Sequence, residues 1–253
     1  MSLCNNCITG VRHEGTPTGT LTKIGGTDCY VATPSGEYAR DKVLLYFPDA
    51  LGMQSPNAHL LADDFALNGY KTVVVDYFEG EPVPHERVFA PGGAQGFDLL
   101  AWLGRHPAPR ALETIRAVIA ALKADGVAKF ASTGYCYGGR TGFDLGFTNE
   151  LAVVTTAHPS MLKCPEDLEN YAKTSRAPLL INSCEVDPMF PVEAQKKADE
   201  ILGGGKFAPG YERTYWEGCH HGYAVRGDMS NPKVKAGKEG TFEATVKFLK
   251  KHF

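Results

Sequence analysis

The fold is decided by residues Gly134–Gly139, which read Gly-Tyr-Cys-Tyr-Gly-Gly. An apolar run, Val127–Ala131, precedes this segment, and Arg140–Phe147 can form a helix after it. A strand, a tight glycine turn and a helix predict a nucleophile elbow, here with Cys136 where serine usually stands. Glycine two residues to either side of the cysteine avoids the clash that a Cβ would make in so tight a turn.

The start of the following helix would suit Cys136 as a nucleophile. Free N–H groups and the positive end of the helix dipole favour a thiolate and, later in a reaction, an oxyanion. Tyr137, the next residue, can offer its backbone N–H to such an oxyanion. A structural cysteine buried in a glycine-rich turn would have the same sequence. The segment alone therefore leaves both interpretations open, and residues further along the chain bear on the choice.

A cysteine nucleophile needs a base, and the base needs a carboxylate to orient it. The chain offers both after later predicted strands. Asp187 follows the apolar run Leu179–Cys184, whereas His220 and His221 follow the alternating run Tyr211–Trp216. In triads placed at the ends of parallel strands, the chain order is nucleophile, then acid, then histidine, each after a successive strand. From the residues alone, either histidine could be the base.

Each of these residues also has an ordinary structural explanation. Asp187 could cap a helix that begins near Pro191, since aspartate is common at helix starts. His221 could be a loop histidine without a chemical role. The residues nevertheless occur in the expected order, each after a predicted strand. Together they favour a triad that contains Cys136, Asp187 and one histidine of the pair.

Predicted strands and helices alternate along the chain. Lys71–Asp76 is a continuous run rich in β-branched residues, which is typical of a parallel strand buried on both faces. The alternation predicts an α/β fold with a mostly parallel, doubly wound sheet and helices on both faces. We expect one domain over residues 1–253, with an extended N-terminal segment at 1–20. The other predicted strands are Cys29–Thr33, Lys42–Phe47 and Leu151–Thr156, and the predicted helices are one capped by Asn57 and ending at Ala66, then Leu99–Leu103, Ala111–Ala124, Val192–Leu202 and Glu239–Leu249.

Composition fits a compact enzyme. A chain of 253 residues that is 43% hydrophobic can bury one sizeable core. Its net charge of −3 provides no electrostatic reason to bind nucleic acid or an anionic membrane surface. Met1–Cys7 lacks the basic start and apolar core of a signal peptide, and no apolar run reaches the roughly 18 residues that span a bilayer. Seven scattered cysteines, an odd number, predict reduced thiols in the cytoplasm.

Several motifs together resemble a known family, the dienelactone hydrolases of the α/β-hydrolase class. They are Phe47–Gly52, Asn68–Tyr70, Val73–Phe78, the elbow Gly134–Gly139, Asp187 with Pro191, and His221–Tyr223. The resemblance extends from about Thr27 to the final helix. Its details are similar to the eukaryotic branch, which contains the carboxymethylenebutenolidase homologues and their fungal relatives. The resemblance implies the α/β-hydrolase fold.

The resemblance also implies roles for individual residues. In that family the nucleophile is a cysteine in this elbow, which corresponds to Cys136, and the acid corresponds to Asp187. The family's base is followed by a small residue and an aromatic one, which selects the second histidine of the pair, His221. The family's early loop implies that Ala50 supplies a second oxyanion N–H beside that of Tyr137.

Two departures from bacterial members concern the thiol and the substrate. Bacterial members carry a glutamate in the early loop that exchanges partners with the catalytic thiol when substrate binds, and here that residue is Asp49. They also hold the substrate carboxylate with two arginines, since guanidinium binds carboxylate in a bidentate way. Arg226 is a displaced match to the second arginine. The first arginine of the bacterial pair has no counterpart at the matching position of this sequence, and Arg87 or Arg105 could substitute for it.

Two further residues are candidates for contact with a substrate. Tyr135 flanks the nucleophile in the elbow. His158 ends a predicted strand beside the site, so it could line a pocket, although a structural histidine would explain it as well. The sequence does not choose between these interpretations.

The implied activity is hydrolysis of an enol-lactone or activated ester through a thioester on Cys136, with no cofactor. One alternative is an esterase or thioesterase that acts on a secondary metabolite, and another is a redox-sensing thiol without catalysis. The expected partner is a small-molecule lactone or ester, and neither nucleic acid nor a membrane is expected. The oligomeric state stays open, a homodimer included.

A short cysteine motif near the N-terminus is the remaining candidate for a metal site. Cys4 and Cys7 are spaced like metal ligands or a redox pair, and His13 lies nearby. A fourth ligand is not evident, and the motif does not lie in a strand–helix unit, so we predict no metal.

Overall fold

The computed structural model describes residues 14–84 and 97–253, and the strands of these residues lie in one sheet. They are β1 Thr20–Ile24, β2 Thr27–Ala32, β3 Lys42–Phe47, β4 Thr72–Val75, β5 Lys129–Tyr135, β6 Val153–Ala157, β7 Leu179–Val186 and β8 Tyr211–His220. Their order in the sheet is β1-β2-β4-β3-β5-β6-β7-β8. The pairs β1–β2 and β2–β4 are antiparallel, and the remaining neighbours pair in parallel.

Helices pack on both faces of this sheet. They are α1 Pro56–Leu67, α2 Leu99–Arg105, α3 Ala108–Ala124, α4 Tyr137–Phe147, α5 Glu166–Thr174, α6 Val192–Leu202, α7 Tyr223–Arg226 and α8 Pro232–His252. Apolar residues of α2 to α6 join one buried cluster, and those of α1, α7 and α8 join a second cluster. The predicted α/β fold, a mostly parallel doubly wound sheet with helices on both faces, is therefore confirmed. Among the described residues, no helix combines the length and apolar character needed to cross a membrane.

The central strands explain why this arrangement is stable. All four residues of β4 are buried, as are five of the six in β3, because helices cover the sheet on both sides. The helix α3 buries Ile115, Val118, Ile119 and Leu122, which recur at the spacing of one helical face.

Several element boundaries differ from the sequence prediction. Helix α1 begins at Pro56 rather than after a cap at Asn57, whose side-chain amide instead donates to the carbonyl of Val225 at 2.9 Å. Strand β1 was not predicted because it is a polar, exposed edge strand without an apolar pattern. Helix α5 was not predicted either, since it is short and acidic. Helix α8 begins at Pro232, seven residues before the predicted start, and the Asn231 side chain caps it.

The parallel strands place the predicted site residues at one edge of the sheet. Asp49 follows β3, Cys136 follows β5, Asp187 follows β7 and His221 follows β8. Because the carboxyl ends of parallel strands meet at the same edge, residues far apart in the chain come together there.

Candidate active site

Cys136 lies in a strained turn between β5 and α4. Its backbone has φ 53° and ψ −113°, a region that residues with a side chain rarely adopt. Three backbone hydrogen bonds hold it there. Its N–H donates to Ala157 O at 3.2 Å, and its carbonyl accepts from Gly139 N at 3.0 Å and from Ser160 N at 2.9 Å.

The glycines of the elbow are required by close backbone contacts. A Cβ on Gly134 would lie 2.3 Å from the carbonyl oxygen of Gly138. A Cβ on Gly138 would lie 2.1 Å from the carbonyl oxygen of Phe47 in β3. Side chains at either position would force the turn and the neighbouring strand apart, as the sequence predicted.

Asp187 and His221 meet beside the elbow. His221 Nδ1 lies 2.8 Å from Asp187 Oδ1, and the same carboxylate oxygen accepts the backbone N–H groups of Met189 and Phe190 at 2.9 and 3.1 Å. These bonds orient the Asp187 carboxylate, which in turn orients the imidazole. His220, the other histidine of the pair, is exposed at the end of β8.

A serine that sequence reasoning did not single out lies between the thiol and the imidazole. Ser160 Oγ is 3.2 Å from Cys136 Sγ and 3.4 Å from His221 Nε2. Ser160 follows β6, the strand that pairs with β5, and its N–H also binds the elbow backbone. A polar residue shortly after the strand next to the elbow strand is the signal that could have identified it.

The charges of the site favour an ionised thiol. Burial alone would raise the pKa of the Cys136 thiol, but the hydrogen bond and the positive charge of His221 outweigh it, and the pKa is lowered. Burial would lower the pKa of His221, but its hydrogen bonds to Asp187 and Cys136 raise that pKa to about 9. Near neutral pH these effects favour a thiolate paired with an imidazolium.

Two residues predicted to act separately, Asp49 and Arg226, form an ion pair. Arg226 Nη1 donates to Asp49 Oδ2 at 2.6 Å, and the other carboxylate oxygen accepts the N–H of Leu51 at 3.1 Å. Burial raises the pKa of Asp49, and the charge of Arg226 opposes that rise. Asp49 still influences the thiol, because its negative charge acts to raise the pKa of Cys136.

A cavity of about 330 Å³ opens onto this group of residues. Cys136, Ser160, His221 and Arg226 line it, together with Ala50 and Tyr137. As the first residue of α4, Tyr137 has an N–H without an acceptor inside its helix. The rest of the described wall is apolar: Leu51, Val83, Phe97, Leu99, Trp102, Leu103, Met161 and Met189.

Two of the predicted substrate contacts, Tyr135 and His158, are absent from the described lining of the cavity. Tyr135 is 2% exposed, and its ring packs against that of Tyr46 at 4.9 Å, away from the cavity wall. His158 is fully buried, and its ring lies 4.9 Å from the ring of His221. Burial holds the pKa of His158 well below its usual range. His158 therefore lies behind His221 and does not line the described wall of the cavity.

Of the other candidates, the structure describes Arg105. Arg105 is exposed at the end of α2 and lines a separate cavity beside Arg110. Arg87, Cys4, Cys7 and His13 lie outside the described residues. Within the described part of the chain, no cluster of three or more His, Cys, Asp or Glu side chains could hold a metal ion.

A strained cysteine elbow, a histidine and an aspartate at the carboxyl edge of a mostly parallel sheet define an α/β-hydrolase. A model of the dienelactone hydrolase family matches residues 27–253. The chain belongs to this family, as the motifs in its sequence indicated. It is accordingly a carboxylic ester hydrolase, of the type that acts on enol-lactones or esters.

Individual relatives agree with this assignment. The chain is 32% identical to "Dienlactone hydrolase 1" of Gibberella moniliformis, over 96% of this chain and 91% of the relative. It is 30% identical to "Hydrolase pyvD" of Aspergillus violaceofuscus, over 97% and 95% of the two chains. A solved structure with a similar fold is a protein provisionally named dienelactone hydrolase from Klebsiella pneumoniae. That structure has a TM-score of 0.67 and 15% identity, over 89% of this chain and 97% of the other.

Proposed function

We propose that this protein hydrolyses an enol-lactone or activated ester by way of a thioester on Cys136. The observation that carries the proposal is the hydrogen bond between the His221 imidazole, which Asp187 orients, and the partly buried Cys136 thiol in the wall of one cavity. The expected partner is a small-molecule lactone or ester, and the proposed chemistry uses side chains and water alone.

In the first half of the reaction the Cys136 thiolate attacks the ester or lactone carbonyl. The negative charge moves to the carbonyl oxygen, where we expect the N–H groups of Tyr137 and Ala50, two residues of the cavity wall, to stabilise it. The tetrahedral intermediate collapses, the carbon–oxygen ester bond breaks, and an enol or alcohol leaves with a proton from the His221 imidazolium. The acyl group remains on sulfur as a thioester.

In the second half of the reaction, water attacks the thioester. His221, now neutral, accepts a proton from the water as the water oxygen bonds to the acyl carbon. Collapse of this intermediate breaks the carbon–sulfur bond and releases the carboxylic acid together with the thiolate. Thiolate leaves readily, so this chemistry suits esters whose own leaving group departs easily.

The wall of the cavity supports a substrate with an apolar body. Beyond the polar group around Cys136, its described lining is aliphatic or aromatic, and the Arg226 guanidinium is already paired with Asp49. A free carboxylate on the substrate would have to compete for that arginine. The same wall favours the second candidate function, an esterase or thioesterase acting on an apolar secondary metabolite.

An activity panel combined with mass spectrometry tests the proposal. We expect the protein to hydrolyse enol-lactones and aryl esters with higher kcat/KM than unactivated alkyl esters, with acyl thioesters as the comparison for the second candidate. Acid quenching during turnover should trap the acyl group on the peptide that contains Cys136. Turnover with the acyl group found on a different residue would reject the thioester mechanism.

Asp49→Asn tests whether the charge of Asp49 controls the thiol. Because that charge acts to raise the pKa of Cys136, its removal should lower this pKa and speed alkylation by iodoacetamide at neutral pH. Turnover of substrate should fall if Asp49 also takes part in gating the thiol. The measurement is the alkylation rate as a function of pH, beside kcat/KM.

Thermal melting separates this role from a structural one. Loss of one partner of a buried ion pair is destabilising, so Asp49→Asn should also lower the melting temperature through its effect on Arg226. A variant that melts earlier but alkylates at the wild-type rate would leave Asp49 as a structural partner of Arg226 and would rule out gating.

A further inference from the structure

The hydroxyl of Ser160 contacts both reactive groups of the site. Its oxygen lies 3.2 Å from Cys136 Sγ and 3.4 Å from His221 Nε2. Ser160 is 5% exposed and lines the cavity, so its side chain is held beside the thiol rather than in open solvent.

The backbone fixes this position from two directions. Ser160 N–H donates to the carbonyl of Cys136 at 2.9 Å, which ties the loop after β6 directly to the elbow. The elbow N–H in turn donates to Ala157, the last residue of β6. The serine and the cysteine therefore belong to one hydrogen-bonded unit, which holds the Ser160 backbone next to the elbow.

We propose that Ser160 is a fourth member of the reactive group, whose hydroxyl bridges the thiol and the imidazole and stabilises their ion pair. A hydroxyl has one proton to donate and lone pairs to accept with, which matches this position. With thiolate and imidazolium, the Ser160 O–H donates to sulfur, while its oxygen shares the Nε2–H of His221 with that sulfur.

The same bridge provides a path for a proton from the Cys136 thiol to the His221 imidazole. In the neutral state the S–H bond points to Ser160 Oγ, and the Ser160 O–H points to His221 Nε2. Breaking the S–H bond and forming a new O–H bond, as the old O–H proton passes to Nε2, produces thiolate and imidazolium. Serine is neutral before and after, and no other reactant is needed.

Several ionisable groups act on the thiol in addition to the neutral Ser160 hydroxyl. His221 faces it from the loop after β8 and Asp49 from the loop after β3, and their charges have opposite effects on its ionisation. Tyr77, which follows β4, is buried close enough to interact with it. Asp187 and Arg226 act indirectly, as the partners of His221 and Asp49. Removal of the serine hydroxyl leaves all of these groups in place.

Ser160→Ala tests the bridge without any substrate. The proposal rests on Cys136 as the reactive thiol, and alkylation by iodoacetamide reports on that thiol directly. A hydrogen bond to a charged group is lost, so the alkylation rate at neutral pH should fall roughly tenfold and the midpoint of its pH profile should rise by about one unit. The kcat/KM for an ester should fall by a similar factor.

Two further variants complete the comparison. Ser160→Thr retains a hydroxyl and should alkylate within about threefold of wild type. Ser132→Ala removes a buried hydroxyl from β5 that has no hydrogen-bond partner among the described residues, and it should leave the profile unchanged. If melting shows that Ser160→Ala does not fold, Ser160→Gly removes the same hydroxyl and carries the same expected outcomes.

The outcomes separate this inference from the proposed hydrolase activity. If the alkylation profile of Ser160→Ala is shifted but the wild-type protein hydrolyses no ester, the result would support the bridge and count against the proposed activity. A wild-type profile in Ser160→Ala would overturn the bridge, whether or not esters are hydrolysed. A Ser160→Thr profile as shifted as that of Ser160→Ala would also overturn it, because the hydroxyl would then not be the cause.

Discussion

Replacing Cys136 by alanine is expected to lower kcat/KM for an activated ester by at least about a thousandfold, since loss of a nucleophile typically costs several orders of magnitude. Alanine keeps the elbow's backbone but removes the sulfur that would carry the acyl group. The strain at φ 53° is present with either side chain, so the melting temperature should stay close to that of the wild type. Steady-state kinetics and thermal melting measure both quantities.

Cys164→Ala is the matched control for this experiment. Cys164 is a partly buried free thiol on the loop before α5. Burial and the nearby charges of Asp167 and Glu166 raise its pKa to about 11, so it carries little thiolate at neutral pH. Its removal should leave kcat/KM unchanged. Retention of more than about a hundredth of wild-type kcat in Cys136→Ala would show that the nucleophile is another residue.

The second large effect is expected for His221→Ala, which should approach the loss seen for Cys136→Ala. The variant lacks both the base and the positive charge that lowers the pKa of the thiol. Alkylation of Cys136 at neutral pH should therefore slow, and its pH midpoint should move up toward that of an ordinary thiol. The measurements are kcat/KM and the alkylation rate between neutral and alkaline pH.

The neighbouring histidine provides the control. His220 is exposed at the end of β8, whereas His221 contacts Asp187 at 2.8 Å. His220→Ala should keep most of the activity and the wild-type alkylation profile. The reverse result, with His220→Ala inactive and His221→Ala active, would assign the base to the other residue and contradict the proposed triad.

Local patterns in the sequence predicted much of the fold and of the reactive group. The glycines around Cys136 indicated the elbow, and the structure shows backbone atoms where their Cβ atoms would lie. Apolar runs followed by Asp187 and by the histidine pair indicated that these residues would meet at the ends of strands. Choosing His221 over His220 needed the family resemblance, because both histidines follow the same run.

Other contacts between distant segments could not be predicted in this way. Arg226 and Asp49 are 177 positions apart, and neither belongs to a pattern that indicates a partner. Each was assigned a separate role by resemblance, and the structure pairs them with each other. Tyr135 is predicted at the pocket because it flanks Cys136, and His158 because it ends a predicted strand beside the site. The direction of each side chain, however, depends on how neighbouring strands and helices pack.

The sequence by itself determined most of the strands and helices and the chemistry available at their ends: a strained cysteine turn, then an acid and a histidine after later strands. Only the tertiary structure decided which side chains touch. Ser160 reaches Cys136 because β6 pairs with β5 in a register that aligns Ala157 with Tyr135. Periodicity and turn motifs describe a few consecutive residues, whereas contacts of this kind arise from strand order, register and packing of the whole chain.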